Sequence, residues 1–269
     1  MSKNYRTVFA KWRTFRIGIK VITAAFALFA VLSVLSCRDS VGEGESFFDS
    51  GNQEYDRGDY GKAIADYEKA CFSGKVSAAL YYNLAGAYFK SGDIGRAILN
   101  YERAVNLAPR DPDIAANYGF AKSMVTGKAP PPRGFFSWRP VRIYSRFFTI
   151  NEMTIITSVL FFLFFIVLGF SVVSEILRTK AVITAAFLAV FIVFSASVIF
   201  IKLREQKSYA VTVAPSSNVL FGPFDTATKF FTLHEGNGVI ILESKGSWRR
   251  VRRPDGKVGW VKSGDVERI

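Results

Sequence analysis

The segment from Gly58 to Ala70 returns 34 residues later. Gly58, Asp59, Gly61, Ala63, Ile64, Tyr67, Glu68 and Ala70 recur unchanged as Gly92, Asp93, Gly95, Ala97, Ile98, Tyr101, Glu102 and Ala104. Lys62 and Lys69 recur as Arg96 and Arg103, which keeps the charge. Self-similarity at this period marks a helix–turn–helix unit that stacks on its neighbours into a solenoid. Arrays of this kind bind; they seldom catalyse.

Gly58-Asp59 and Gly92-Asp93 fall at the turns between the two helices of each unit, where Gly supplies unusual backbone angles and Asp caps the second helix. Small residues mark the close helix crossings: Gly51, Ala63 and Ala70 in the first unit, Ala85, Ala97 and Ala104 in the second. Pro109 stops the second unit's last helix after Leu107-Ala108. Asp111–Val125 begins like a third unit and then stops, so it reads as a capping helix. Cys71 falls on an apolar helix position and is expected to be a small buried hydrophobe.

Half of the chain is hydrophobic and its net charge is +13, but both are unevenly spread. Three apolar runs, at Val21–Ser36, Met153–Ser174 and Ala181–Ile201, hold much of the hydrophobicity. Residues 1–20 carry six Lys/Arg and no acid, and residues 128–150 carry five and no acid. Residues 38–127 hold ten basic and thirteen acidic residues. A nucleic-acid binder would carry its basic stripe on the folded domain. Here the excess flanks apolar runs, as at membranes.

The first run, behind Lys3, Arg6, Lys11, Arg13, Arg16 and Lys20, is an export signal or N-terminal anchor over residues 1–37. Val34-Leu35-Ser36-Cys37 resembles a bacterial lipoprotein cleavage box in which Cys37 is lipidated, although Leu35 and Arg38 fit that box poorly. The later runs, 153–174 and 181–201, would span about 33 and about 31 Å as helices, enough to cross a bilayer. Six residues, Glu175–Lys180, separate them. Two crossings put the repeats and the C-terminal tail on one side. Arg133, Arg139, Arg142 and Arg146, with Lys202, Arg204 and Lys207, outnumber Arg178 and Lys180 in the loop and pull against an outside location. The first segment usually dominates topology, which puts repeats and tail outside the cytoplasm.

Residues 128–150 form a linker: Ala129-Pro130-Pro131-Pro132-Arg133-Gly134 is stiff and extended. Phe135, Phe136, Trp138, Tyr144, Phe147 and Phe148, interleaved with arginines, suit a membrane interface. From residue 208 to 269 the pattern switches to short strands with Gly and Pro punctuation. Tyr209–Ala214, Val219–Phe221, Val239–Glu243, Trp248–Val251 and Val258–Val261 are the strands, with Ile269 on a closing one, in a small barrel.

Catalytic constellations are missing. His234 is the only histidine, so His-rich metal sites and Ser–His–Asp or Cys–His pairs are not supported, and it reads as a surface hairpin residue. Acids and bases of the repeats alternate at helical spacing, as in Asp66/Lys69, which marks a solvated face. Gly42-Glu43-Gly44 lacks the Lys-Ser/Thr of a phosphate loop. Glu152 and Glu175 sit at span ends, not mid-bilayer. No catalytic residue, metal site or cofactor is expected. Arg249, Arg250, Arg252 and Arg253 cannot all share a strand face; they are a solvated edge or meet an anionic partner such as peptidoglycan or lipid headgroup.

The 34-residue units resemble tetratricopeptide repeats, two of them over residues 44–111 with the cap at 112–127. That frame implies a concave groove lined by Phe48, Asn52, Tyr55 and Asp56 of the first unit and Tyr82, Gly86, Phe89 and Lys90 of the second. Aromatic rings with Asn and Lys beside them suit an extended or helical peptide, unless some rings pack between units. Asn218-Val219, Gly222-Pro223, Leu233-His234-Glu235-Gly236, Trp248, Val251, Asp255-Gly256 and Gly259-Trp260-Val261 resemble the bacterial SH3-like domain, with Leu220-Phe221 where that family has Arg-Ser. The expected fold is thus a multi-domain membrane protein: all-α tetratricopeptide hairpins, two transmembrane helices and a small all-β SH3-like barrel.

In order, these parts resemble BatE-type proteins of the bacterial aerotolerance (Bat) system. Asp111-Pro112-Asp113-Ile114 leading to Asn117, and Arg146-Phe147-Phe148-Thr149-Ile150-Asn151-Glu152 opening the first span, are similar to that family's joints. The resemblance implies inner-membrane complexes with von Willebrand A-type proteins and an AAA-type ATPase, in oxidative-stress tolerance. The function expected is a non-enzymatic inner-membrane adaptor presenting groove and SH3-like domain to the periplasm. The alternative is a cell-wall or envelope-ligand sensor working through the SH3-like domain. A membrane enzyme or transporter finds no support in the residues.

Overall fold

A computed structural model describes residues 41–125, 144, 147–173, 176 and 178–269. The export or anchor segment with Cys37, and the Pro-rich stretch with Phe135, Phe136 and Trp138, lie outside the described residues. The helices are α1 (Val41–Asp56), α2 (Tyr60–Phe72), α3 (Ala78–Ser91), α4 (Ile94–Leu107), α5 (Pro112–Ser123), α6 (Ile150–Val173) and α7 (Arg178–Ser208). The strands are β1 (Tyr209–Thr212), β2 (Ser216–Leu220), β3 (Lys229–His234), β4 (Gly238–Lys245), β5 (Trp248–Arg252), β6 (Val258–Lys262) and β7 (Val266–Arg268). One unit holds α6 and most of α7, and the other holds the repeats, the end of α7 and the sheet.

Each repeat turn is built by its Gly-Asp pair. Gly58 and Gly92 take φ of 80° and 89°, a left-handed conformation that a Cβ would strain. Asp59 Oδ1 then accepts the Lys62 N–H at 3.1 Å and Asp93 Oδ1 accepts the Arg96 N–H at 2.9 Å, each satisfying an orphan donor at a helix start. Asp111 does the same for α5, ahead of Pro112. Ala63, Ala70, Ala85, Ala97 and Ala104 are fully buried where helices cross. Tyr67, Leu80, Leu84, Ile98, Leu99 and Tyr101 fill the space between them. Burying each Leu or Ile contributes about 1.5–3 kcal/mol. A Cβ on Gly51 would lie 2.6 Å from the Tyr67 ring, so only glycine lets α1 pass that tyrosine.

The strands form one antiparallel sheet in the order β3-β2-β6-β5-β4-β1-β7. Its ladder is open: β3 bonds to β2 and β7 to β1, with no ladder joining these two edges. The closed barrel of the sequence reading is therefore not formed. β3, which the sequence reading took only as part of a turn motif, is a full six-residue strand. Inward residues Val219, Leu233, Val239, Ile241, Val251, Val261 and Val266 make the sheet's core.

Repeats and sheet share a second contact surface within one unit. Val211 is buried in the same cluster as the repeat residues, with Tyr209, Val213 and Ile269 against it. A Cβ on Gly95 of α4 would stand 2.9 Å from Val213 Cα and 3.0 Å from the Thr212 carbonyl oxygen. Gly236 closes the contact from the sheet side, 2.5 Å from Ile98 Cδ1 and 2.6 Å from Val125 Cγ2 by the same measure. Two glycines thus let a helix and a strand turn approach at backbone distance.

In the other unit, Thr157 and Ser195 hydroxyls meet at 2.7 Å between α6 and α7, one turn from buried Met153. Small and hydroxyl side chains let apolar helices pair closely. Phe161, Phe170, Phe187, Val190 and Phe191 face outward. Both helices are long and apolar enough to cross a membrane. α7 starts at Arg178, so Arg178 and Lys180 belong to its first turn and not to a loop. It also continues through Lys202–Ser208, residues of good helix propensity, straight into β1.

Candidate protein-binding groove

α1, α3 and α5 bring Asn52, Tyr55, Tyr82, Gly86 and Phe89 into a row of polar and ring contacts, to which Phe48, Asp56 and Lys90 do not belong. Asn52 Oδ1 accepts two hydrogen bonds at 2.8 Å, from the Tyr67 hydroxyl and from Asn83 Nδ2. Tyr55 meets Tyr60 edge-on at 5.3 Å between centroids. A Cβ on Gly86 would sit 3.3 Å from the Tyr55 hydroxyl, so the glycine makes room for that ring to cross between units. Burial pushes the Tyr55 hydroxyl's pKa up, helped by Tyr60, Tyr82 and Asp56.

Further along, Tyr82 stands edge-on to Tyr101 at 5.9 Å, and its hydroxyl accepts from Asn117 Nδ2. Phe89 lies 5.7 Å from Phe120. Phe48 turns towards Tyr67, 6.0 Å away, with the Lys75 ammonium 4.4 Å over its face. Lys90 and Asp56 are exposed. All four rings are half-buried and each has a ring neighbour in its own chain, so part of every ring holds the stack and only the remainder faces outward.

Four groove-side residues escaped the sequence reading: Asn83, Asn117, Phe120 and Met124. The last two are more than half exposed, at 58% and 53%. The 34-residue frame could have found them. It carries Asn83 onto Asn117 and Gly86 onto Phe120, once the third helix is treated as a full first helix of a repeat.

Behind the groove, a cleft of about 520 Å³ opens where α2, α3 and α4 meet the last strand. Cys71, Tyr81, Leu84 and Leu99 line it beside Glu68 and Arg103. Cys71 is half-buried there, not fully enclosed, and burial raises its thiol pKa. The Tyr88 hydroxyl donates to Glu68, and burial above all raises its pKa. Among the described residues, no three His, Cys, Asp or Glu side chains converge on a metal-sized site. His234 ends β3, its N–H donating to Asn237 Oδ1 at 3.2 Å.

Residues 51–92 match the family model described as TPR repeat, and residues 78–111 match that described as Tetratricopeptide repeat. The helical region carries tetratricopeptide repeats. Such repeats are protein-interaction scaffolds and typically non-enzymatic, and no catalytic family is indicated. Among solved structures, "Crystal structure of MamA" is similar at 16% identity and a TM-score of 0.30, over 76% of this chain and 95% of that one. That overlap is too loose to bear on fold or function here. No curated protein matches the chain.

Proposed function

We propose that this chain is a membrane-anchored adaptor that holds a protein partner in its tetratricopeptide groove. The carrying observation is the open face of Tyr82, Phe89, Phe120 and Met124, continued in the same chain by two helices whose outward sides are apolar. α6 and α7 would anchor it as a hairpin in a bacterial inner membrane, with repeats and sheet facing the periplasm. The similarity to BatE-type proteins and to the SH3-like domain supports partners of the von Willebrand A and AAA-type ATPase kinds, in aerotolerance or envelope stress.

A photo-crosslinker placed at Met124 in the full chain, in intact membranes, should capture the partner. The F120S/M124S variant should lose it with only a small fall in melting temperature, since Phe120 is 58% exposed and its ring meets the stack at Phe89. Capture undiminished in that variant would move the binding surface elsewhere. Protease added to spheroplasts should digest both repeats and sheet; protection of either reverses the orientation. A second reading, an envelope-ligand module in the sheet, is favoured by its exposed Phe221 and Phe230, whose rings lie 4.5 Å apart.

A further inference from the structure

Phe221, Phe224 and Phe230 are among the most exposed large apolar side chains of the sheet. Their clustering is built in, not incidental. Between β2 and β3 the register shifts, Val219 pairing with Phe231 but Leu220 with Lys229. Phe230 is therefore the extra residue of a β-bulge, a device that re-aims a side chain at a sheet edge. The bulge sets Phe230 4.5 Å from Phe221 and 5.2 Å from Phe231. Phe224 folds back over Gly222, where a Cβ would lie 2.5 Å from its ring.

Cations surround the rings. Arg253 lies 4.8 Å over Phe231 and Lys257 5.8 Å over Phe230, with Lys229 exposed at the start of β3. The acids nearby are engaged: Asp225 with Lys262 at 2.9 Å and Asp255 with Arg253. Lys229 and Lys257 give the edge a surplus of positive charge over those two pairs.

Connectivity narrows what could meet such an edge. α7 ends at Ser208 and β1 begins at Tyr209. The seven residues after the apolar run ending at Ile201 rise only about 10 Å as helix, close to the depth of the polar headgroup layer. This short tether keeps the sheet within reach of the bilayer. Phenyl rings beside Lys and Arg partition to the interface of an anionic bilayer.

We infer that the Phe221/Phe224/Phe230 edge docks on the anionic lipid surface of the membrane in which the chain is anchored. This rests on α6 and α7 spanning that membrane. Docking seats the rings in the headgroup layer and sets Lys229 and Lys257 against lipid phosphates.

The test uses the full chain with C37S, C71A and T226C, nitroxide-labelled at position 226 and reconstituted in vesicles. Collision rates with oxygen and with a water-soluble nickel complex report the label's depth. In phosphatidylcholine containing phosphatidylglycerol the label should be shielded from nickel; in phosphatidylcholine alone, or at high salt, it should return to water. Each basic side chain near such a surface is worth roughly fivefold in occupancy, so K229E/K257E should lower the docked population by more than about tenfold. A label equally wet in both lipids overturns the inference, as does equal immersion in the charge-reversed chain. So does shielding by added muropeptides or oligonucleotides but not by lipid. Resistance to alkaline carbonate extraction, measured on the same vesicles, separates the two readings. A released chain refutes the spans, whereas a retained chain with a wet label refutes the docking alone.

Discussion

Arg103, on the second helix of the second repeat, donates a 2.8 Å hydrogen bond to the carbonyl of Arg268 in the last strand. The same guanidinium reaches Glu267 at 3.1 Å and Asn100 at 3.1 Å, so one side chain fastens repeats to sheet. Its removal takes this donor from a strand carbonyl and from Asn100 Oδ1, while Asn100 Nδ2 keeps its bond to the Arg96 carbonyl. R103M should cost about 1.5–3 kcal/mol. Repeats and sheet should melt together in the otherwise wild-type W12F/W138F chain, followed by circular dichroism at 222 nm and by fluorescence of Trp248 and Trp260 in the sheet. Two separate transitions in that chain would mean that the shared core contributes little.

Gly61 and Gly95 hold equivalent positions one repeat apart, yet only Gly95 is pressed against the sheet. G61A should be neutral or slightly stabilising, because Ala outranks Gly in a helix. G95A must push β1 away and should cost on the order of 1–3 kcal/mol. Equal effects of the two in urea titration would contradict the close approach.

Asn52 serves two donors at once, and Tyr67, one of them, is buried. N52A should destabilise by about 1–3 kcal/mol through the stranded hydroxyl. In the N52A/Y67F double variant part of that loss should return, since the buried hydroxyl is gone and only Asn83 Nδ2 has lost its acceptor. Additive losses would show that the hydrogen bond is not what matters there.

Burial pushes the Tyr67 and Tyr101 hydroxyls up to about 12, against about 10 in an unfolded chain. A raised folded pKa means that stability is whole below pH 10. It then declines as the pH climbs from about 10 towards 12, where the unfolded state loses protons that the folded state keeps. The slope is about 1.4 kcal/mol per pH unit for each ring. Tyrosinate absorbance should rise in two stages, exposed rings first and buried ones together with unfolding. Y67F should flatten the alkaline limb; an unchanged limb would argue that Tyr67 ionises in place.

What the sequence disclosed follows from how local each cause is. Turn glycines, capping aspartates and crossing alanines act within one repeat, so a 34-residue self-match exposes all of them. Helices α6 and α7 are legible because composition alone sets their character. The Arg103–Arg268 bond joins residues 165 apart, and no local pattern encodes it. Gly95 looked like a repeat of Gly61, and its second role depends on a strand beyond both apolar runs. β3 was hidden because its bulge breaks the alternation that identifies a strand. Asn117 and Phe120 were readable in principle and were overlooked as groove residues because α5 was taken for a capping helix.

The shared core has a consequence for how the chain is made. α4 leaves the ribosome carrying Ile98 and Gly95, whose cover is β1 and the Gly236 turn. At ordinary elongation speeds that cover arrives on the order of ten seconds later. Two long apolar helices are also made in the meantime. Throughout that interval the nascent repeats present a bare flank, a natural target for a holding chaperone, and a pause after Leu107 would lengthen the hazard.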